Sequence, residues 1–131
     1  MRRGRPSGRI TGVTLSGSSP TSVGVARKQV ITACHAGGVD DLAETGALLV
    51  SELVTNAITH AAGDVDLLVN CTKARLVVGV SDGSTEPPVI NHSPIPDQSG
   101  GRGLYLIGRL ANSWDYESTA TGKTVWFTLE T

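Results

Sequence analysis

Two strand-like runs, VDLLVN (65–70) and RLVVGVSD (75–82), are separated by only four residues. A parallel crossover needs about a dozen residues or more, so these runs are restricted to an antiparallel hairpin with a turn around Thr72-Lys73. A second pair, SWDYES (113–118) and KTVWFTLE (123–130), is likewise joined by a tight turn at Thr121-Gly122. RITGVTLS (9–16) alternates well enough for a first strand at a sheet edge. Such a sheet has an apolar face that something else must cover.

The cover is visible in the remaining periodicity. Ser19-Pro20 reads as a helix start, with Ser as cap and Pro at the first helical position. Val23, Ala26, Val30, Ile31 and Cys34 carry the apolar stripe that follows, and Gly37-Gly38 stops it. Asp40 or Asp41 caps a second helix, buried through Leu42, Leu49, Leu53, Ala57 and Ile58 down to about Ala61 and broken by Gly63-Asp64. Residues 83–99 hold four prolines and no period, which marks a loop. GGRGLYLIGRLAN (100–112) restarts helical spacing through Leu104, Ile107 and Leu110. The order β-α-α-β-β-loop-α-β-β predicts an α+β two-layer sandwich: a mixed, mainly antiparallel sheet with helices packed on one face.

The totals exclude several classes. At 131 residues the chain has the size of one domain, read as a flexible tail over 1–8 and a single unit over 9–131. Eleven basic and twelve acidic residues leave no electrostatic footprint for nucleic acid or an anionic membrane. The only basic cluster, MRRGRPSGR, sits in the tail. No run is apolar enough for a membrane span or an export signal, so the expected location is cytoplasmic, with Cys34 and Cys71 as reduced thiols. Cys34, His35, His60, Cys71 and His92 show no metal-ligand spacing.

Four separated pieces carry polar or glycine-rich features that a plain core does not need. Glu52 and Asn56 stand four residues apart on the second helix, with His60 four further on, and thus share nearly one face. His60 alone reads as helix-end packing. Asp82 ends a strand, Gly101-Arg102-Gly103-Leu104 opens a helix, and Gly122-Lys123-Thr124 enters the last strand. Each has a bland reading as solvent face, turn residue or close-packing glycine. TGKT is not a Walker loop: the first glycine would fall at Glu117, and a strand follows instead of a helix. GRGLYLIG also fails as a dinucleotide fingerprint, because the third glycine is missing and no strand feeds it directly.

Taken in order, the E-x-x-x-N helix, the strand ending in Asp, the loop, the G-x-G-L helix start and the G-K-T strand resemble the Bergerat-fold ATP-binding domain of the GHKL superfamily. The resemblance spans about residues 9–130. VSELVTNAITHA, VSDGS, GGRGLYLIGRLANSW and TGKTVWFTL resemble the actinobacterial relatives of the anti-sigma-factor serine/threonine kinases in particular.

That resemblance implies ATP and Mg²⁺ as cofactors, with Asn56 as the magnesium ligand and Glu52 as the catalytic base. It also implies a sigma factor and an anti-anti-sigma protein as partners, and homodimerisation. The residue chemistry is compatible with these roles. A neutral amide oxygen suits a magnesium ion that retains waters and phosphate oxygens. A carboxylate one turn earlier suits proton removal from an attacking hydroxyl. Asp82 accepts from the exocyclic amine of adenine, selecting it over guanine. Gly101 and Gly103, with Arg102 nearby, offer backbone N–H groups to phosphate at a helix N-terminus. Thr124 would complete the adenine pocket through its hydroxyl, with Lys123 facing solvent.

The match departs from the family's D-x-G-x-G box, where Ser84 and Glu86 replace the two glycines and Gly83 is displaced by one. The loop over 83–99 is short for an ATP lid. These departures keep open a non-catalytic, nucleotide-gated binding module. A detached histidine-kinase catalytic domain is a further alternative, for which His35 has a poor phosphoacceptor context. Magnesium-dependent ATP titration should show a dissociation constant in the micromolar range or weaker, about −8 kcal/mol at best. Asn56→Ala and Asp82→Ala should each weaken it by about 1–3 kcal/mol.

Overall fold

The computed structural model describes residues 11–60, 63–72, 74–86, 88 and 102–131. Along the chain run β1 (Thr11–Leu15), α1 (Ser22–Ala36), a 3₁₀ turn (Asp40–Leu42), α2 (Ala43–His60), β2 (Val65–Thr72) and β3 (Arg75–Asp82). They are followed by α3 (Arg102–Leu110), β4 (Ser113–Ser118) and β5 (Lys123–Glu130). The tail over 1–8, Gly101 and most of the expected lid lie outside the described residues. No helix among the described residues is long and apolar enough to cross a membrane.

The five strands form one sheet in the order β1-β2-β3-β5-β4. Every neighbouring pair is antiparallel, so the sheet is not mixed as expected. Side chains alternate across it. Val65, Leu67 and Val69, then Leu76, Val78 and Val80, then Val125, Phe127 and Leu129 bury one face against the helices. α1 packs on β2, α2 on β3 and α3 on β4, so the helices lie side by side in the same order as the strands beneath them. The result is the two-layer α+β sandwich the periodicity predicts.

α1 begins two residues later than the sequence suggests. Ser19 does not cap it; its hydroxyl pairs with that of Thr21 at 2.8 Å and accepts the Thr21 N–H at 3.2 Å, a local turn that competes with the helix. Ala26, Val30 and Cys34 form the buried stripe, whereas Ile31 lies outside it at 45% exposure. Gly38 takes the left-handed conformation (φ +73°) that ends the helix, and Gly63 does so after α2 (φ +95°). Of the stripe expected on α3, Ile107 is buried but Leu110 is 44% exposed. Leu106 packs against the core instead.

Close approach fixes two glycines. A Cβ at Gly46 would fall 2.7 Å from Leu76 and 2.9 Å from Val30, so α2 sits directly on β3 and α1 there. A Cβ at Gly79 would collide with the ring of Trp126, its register partner on the opposite face. Gly79→Ala should therefore lower unfolding stability by about 1–3 kcal/mol in urea melts, because the indole must leave its rotamer.

Cys34 and Cys71 come from separate segments and are both free thiols, with Cys34 buried and Cys71 donating to the Thr72 carbonyl at 3.7 Å. Burial, reinforced by Cys71 and by Asp40 and Asp41, pushes the Cys34 thiol up to about 11. The folded state thus holds the proton more tightly than the unfolded chain, and the associated stability is lost as pH rises. Urea stability should fall between pH 9 and about 11, with a shallower fall in Cys34→Ala.

Candidate nucleotide site

The fold gathers the separated polar pieces at one end of the sheet. α2 starts near Leu76 and Leu129, where Gly46 meets both. It must finish at the other end, because Val65 begins β2 opposite Leu15, and Asp66 pairs with Ser81 beside Asp82. From Gly46 to Asn56 the helix rises about 15 Å, most of the length of β3. α3 runs the opposite way. Its C-terminal end leads into the Asn112 N–H bond to the Thr128 carbonyl, far from Asp82, so its N-terminus points back toward the Asp82 end. The second half of α2, the end of β3, the start of α3 and the β4–β5 turn therefore converge. Gly103 lies in the first turn of α3, while nothing of the Arg102 or Leu104 side chains is described.

On α2, Glu52 and Asn56 are both half-buried at the edge of the stripe formed by Leu49, Leu53 and Ala57. That is a suitable level for groups that must meet a ligand and still be held by neighbours. His60, one turn further, is exposed and does not pack the helix end as expected.

Asp82 lies on the helix-bearing face, in line with Val78 and Val80. Its side chain is only 6% exposed. The Ser84 N–H donates to Oδ1 at 2.8 Å, which closes the turn after the strand. Gly122 has no room for a Cβ, which would run into the Asp82 carbonyl, so the β4–β5 turn is pressed against this strand end.

Here the structure corrects the sequence reading of Lys123. Thr124 lies on the helix-free face, paired in register with Ser81 and joined to it through their hydroxyls at 2.6 Å. Beside Asp82 stands Lys123, whose ammonium donates to both carboxylate oxygens at 3.1 Å. Lys123 is 11% exposed, not solvent-facing. The signal was present in the sequence: residue 123 shares its parity with the buried Val125, Phe127 and Leu129, and Thr124 does not. What was missing was the knowledge that β5 lies against β3.

An open polar cavity of about 330 Å³ wraps around this strand end. Asp64, Asp82 and Lys123 line it, and Asp66, Ser81 and Thr124 contribute from the helix-free face. Three carboxylates against one ammonium repel polyphosphate, so this cavity suits the base end of a nucleotide and not its phosphates. Glu52 and Asn56 do not line it. No cluster of three or more His, Cys, Asp or Glu side chains able to hold a metal ion occurs among the described residues.

A family model described as a histidine kinase-like ATPase domain matches residues 17–129. The chain belongs to this family. The match runs from the turn before α1 to the end of β5 and includes all four converging pieces. Among curated proteins no significant match is found. As a histidine kinase-like ATPase domain of GHKL type, the protein has ATP as its ligand. The residues present suit that ligand: a buried carboxylate at a strand end for the base, a helix N-terminus for phosphate, and a half-buried amide for a phosphate-bound cation.

The Asp82–Lys123 pair is nearly buried, and removing one member strands the other. Asp82→Ala should therefore lower fold stability as well as ATP affinity. A thermal melt of Asp82→Ala should show a lower midpoint, and the double variant Asp82→Ala/Lys123→Met should recover most of the loss while still binding ATP poorly.

Proposed function

We propose that this ATPase domain is a protein serine/threonine kinase of the anti-sigma-factor type. In this reading it binds a sigma factor and uses ATP to phosphorylate a serine or threonine on an anti-anti-sigma partner, as a homodimer. The observation that carries the reading is the Glu52/Asn56 pair, half-buried on the stretch of α2 that runs toward the Asp82 end of the sheet.

The division of labour follows from the chemistry of the side chains. Asn56 would hold Mg²⁺ through its amide oxygen, and the ion would supply neutralisation of phosphate charge. Glu52, one helical turn earlier, would accept the proton of the attacking hydroxyl. Asp82 would anchor the base, and the N-terminus of α3 would offer its backbone N–H groups to phosphate. Glu52 and Asn56 share α2, while the base and phosphate groups come from β3 and α3, and each side chain can be removed singly.

One observation favours a second reading, a nucleotide-gated binding module without transfer. Ser84 stands at a position where the family pattern has glycine, and its N–H is committed to Asp82. A fixed turn at this point limits how closely backbone can approach a nucleotide.

Incubation with γ-labelled ATP and the cognate anti-anti-sigma protein separates the two. The kinase reading expects label on the partner, lost by a factor of about 10²–10⁴ in Glu52→Ala with ATP binding retained. Transfer that survives the loss of Glu52 removes it as the base. ATP binding that changes partner affinity with no label transferred establishes the gated module instead.

A further inference from the structure

We infer that the helix-free face of the sheet is a docking surface for the chain's own basic segment before β1, residues 1–10, whose arginines cross Trp126 toward Asp115 and Glu117. The inference concerns the side of the sheet away from α2 and does not depend on the kinase reading.

A buried band on that face carries it. One register row runs Gly12, Leu68, Gly79, Trp126, Asp115, and the next holds Asn70, Val77 and Thr128. Asn70 and Val77 are 4% exposed, Thr128 7% and Trp126 8%. The helices pack on the opposite face, and Val77 and Trp126 stand outside the core cluster those helices cover. Strand neighbours do not account for the burial. On the same three strands and the same face, the row toward the Asp82 end is open: Asp66 is exposed, and Ser81 and Thr124 are only half-buried. The band is buried within a single chain, so its cover needs no partner.

The chain enters β1 at this band. Thr11 pairs with Val69, so one more residue of the same register reaches Asn70, inside the buried row. Ten extended residues span up to about 33 Å, against about 19 Å across five strands, so the segment is long enough to reach β4. The β3–α3 connection starts at the Asp82 end instead. To reach the band it would cross the row that holds Asp66 and Glu117, both exposed.

Charge points to the same occupant. Arg2, Arg3, Arg5 and Arg9 fall in these ten residues, with no acid among them. Asp115 and Glu117 share this face of β4, at the far side of the sheet. The indole of Trp126 lies on Gly79, where a Cβ would collide with it, so its other side is turned outward as a platform for a guanidinium. The strap thereby closes an acid-edged aromatic surface that would otherwise be open to other chains.

Acrylamide quenching of tryptophan fluorescence in the full chain tests the inference, with Trp114→Phe so that Trp126 reports alone. Trp126 should be poorly quenched, and replacing the four arginines by glutamate should raise its quenching constant severalfold. Adding Asp115→Arg and Glu117→Arg to that variant should restore protection, which a misfolded chain would not do. Without any tryptophan change, trypsin should cut after Arg9 severalfold faster in Asp115→Arg/Glu117→Arg than in the wild type. Strong quenching of the wild type would overturn the inference. So would quenching unchanged by the arginine reversal, which would assign the cover to the β3–α3 connection. Protection that falls on dilution would overturn it in favour of a second copy, and lost protection that the paired reversal does not restore would overturn the pairing with β4.

Discussion

The pairing of β3 with β5 is the constraint from which the rest of the molecule follows. It joins segments that a helix, a loop and a further strand separate, and it runs unbroken from Arg75 opposite Glu130 to Asp82 opposite Lys123. Val78 and Val80 meet Phe127 and Val125 across it, in the middle of the buried face. Each end of this ladder carries an ion pair. Arg75 and Glu130 are about half exposed and contribute little, since water screens them. Asp82 and Lys123 are nearly buried, and neither could be lost alone without leaving a charge in a poorly solvated place.

The same ladder determines what the site can be. Strand alternation assigns Asp82 and Lys123 to the helix-bearing face, and Ser81 and Thr124 to the other. The carboxylate that would read a base is consequently held by a cation rooted on the next strand and by the Ser84 N–H. The helices then bring the remaining groups to this end because of their directions. α2 travels toward it, and α3 starts from it. A site built from helix and strand ends needs no long-range signal beyond the core that fixes those directions. The acid-lined cavity at the strand end would also orient a nucleotide whose base it held, since phosphates would be repelled from it.

Most of the architecture was legible in the chain. The four-residue connection between β2 and β3 admits only a hairpin, and the 3.6-residue spacing of Leu42, Leu49, Leu53 and Ala57 admits only a helix with one buried side. Glu52 and Asn56 could be placed together because both lie on that helix, where spacing alone determines which side chains are neighbours. Errors arose where a local competitor acted. Ser19 engages Thr21 and so does not cap α1, and Ile31 lies just outside the stripe that α2 and the sheet cover.

What the sequence by itself determined is therefore whatever depends on residues close along the chain: the elements, their amphipathic faces, the hairpins and the Glu52/Asn56 pair. Tertiary structure alone decided that β5 lies against β3, and hence that Lys123 stands opposite Asp82 and Thr124 opposite Ser81. The physical reason is that strand adjacency between distant segments is selected by burial of the whole apolar face, a sum over many residues that no short motif records. The parity of Lys123 was written in the sequence, but its partner was not.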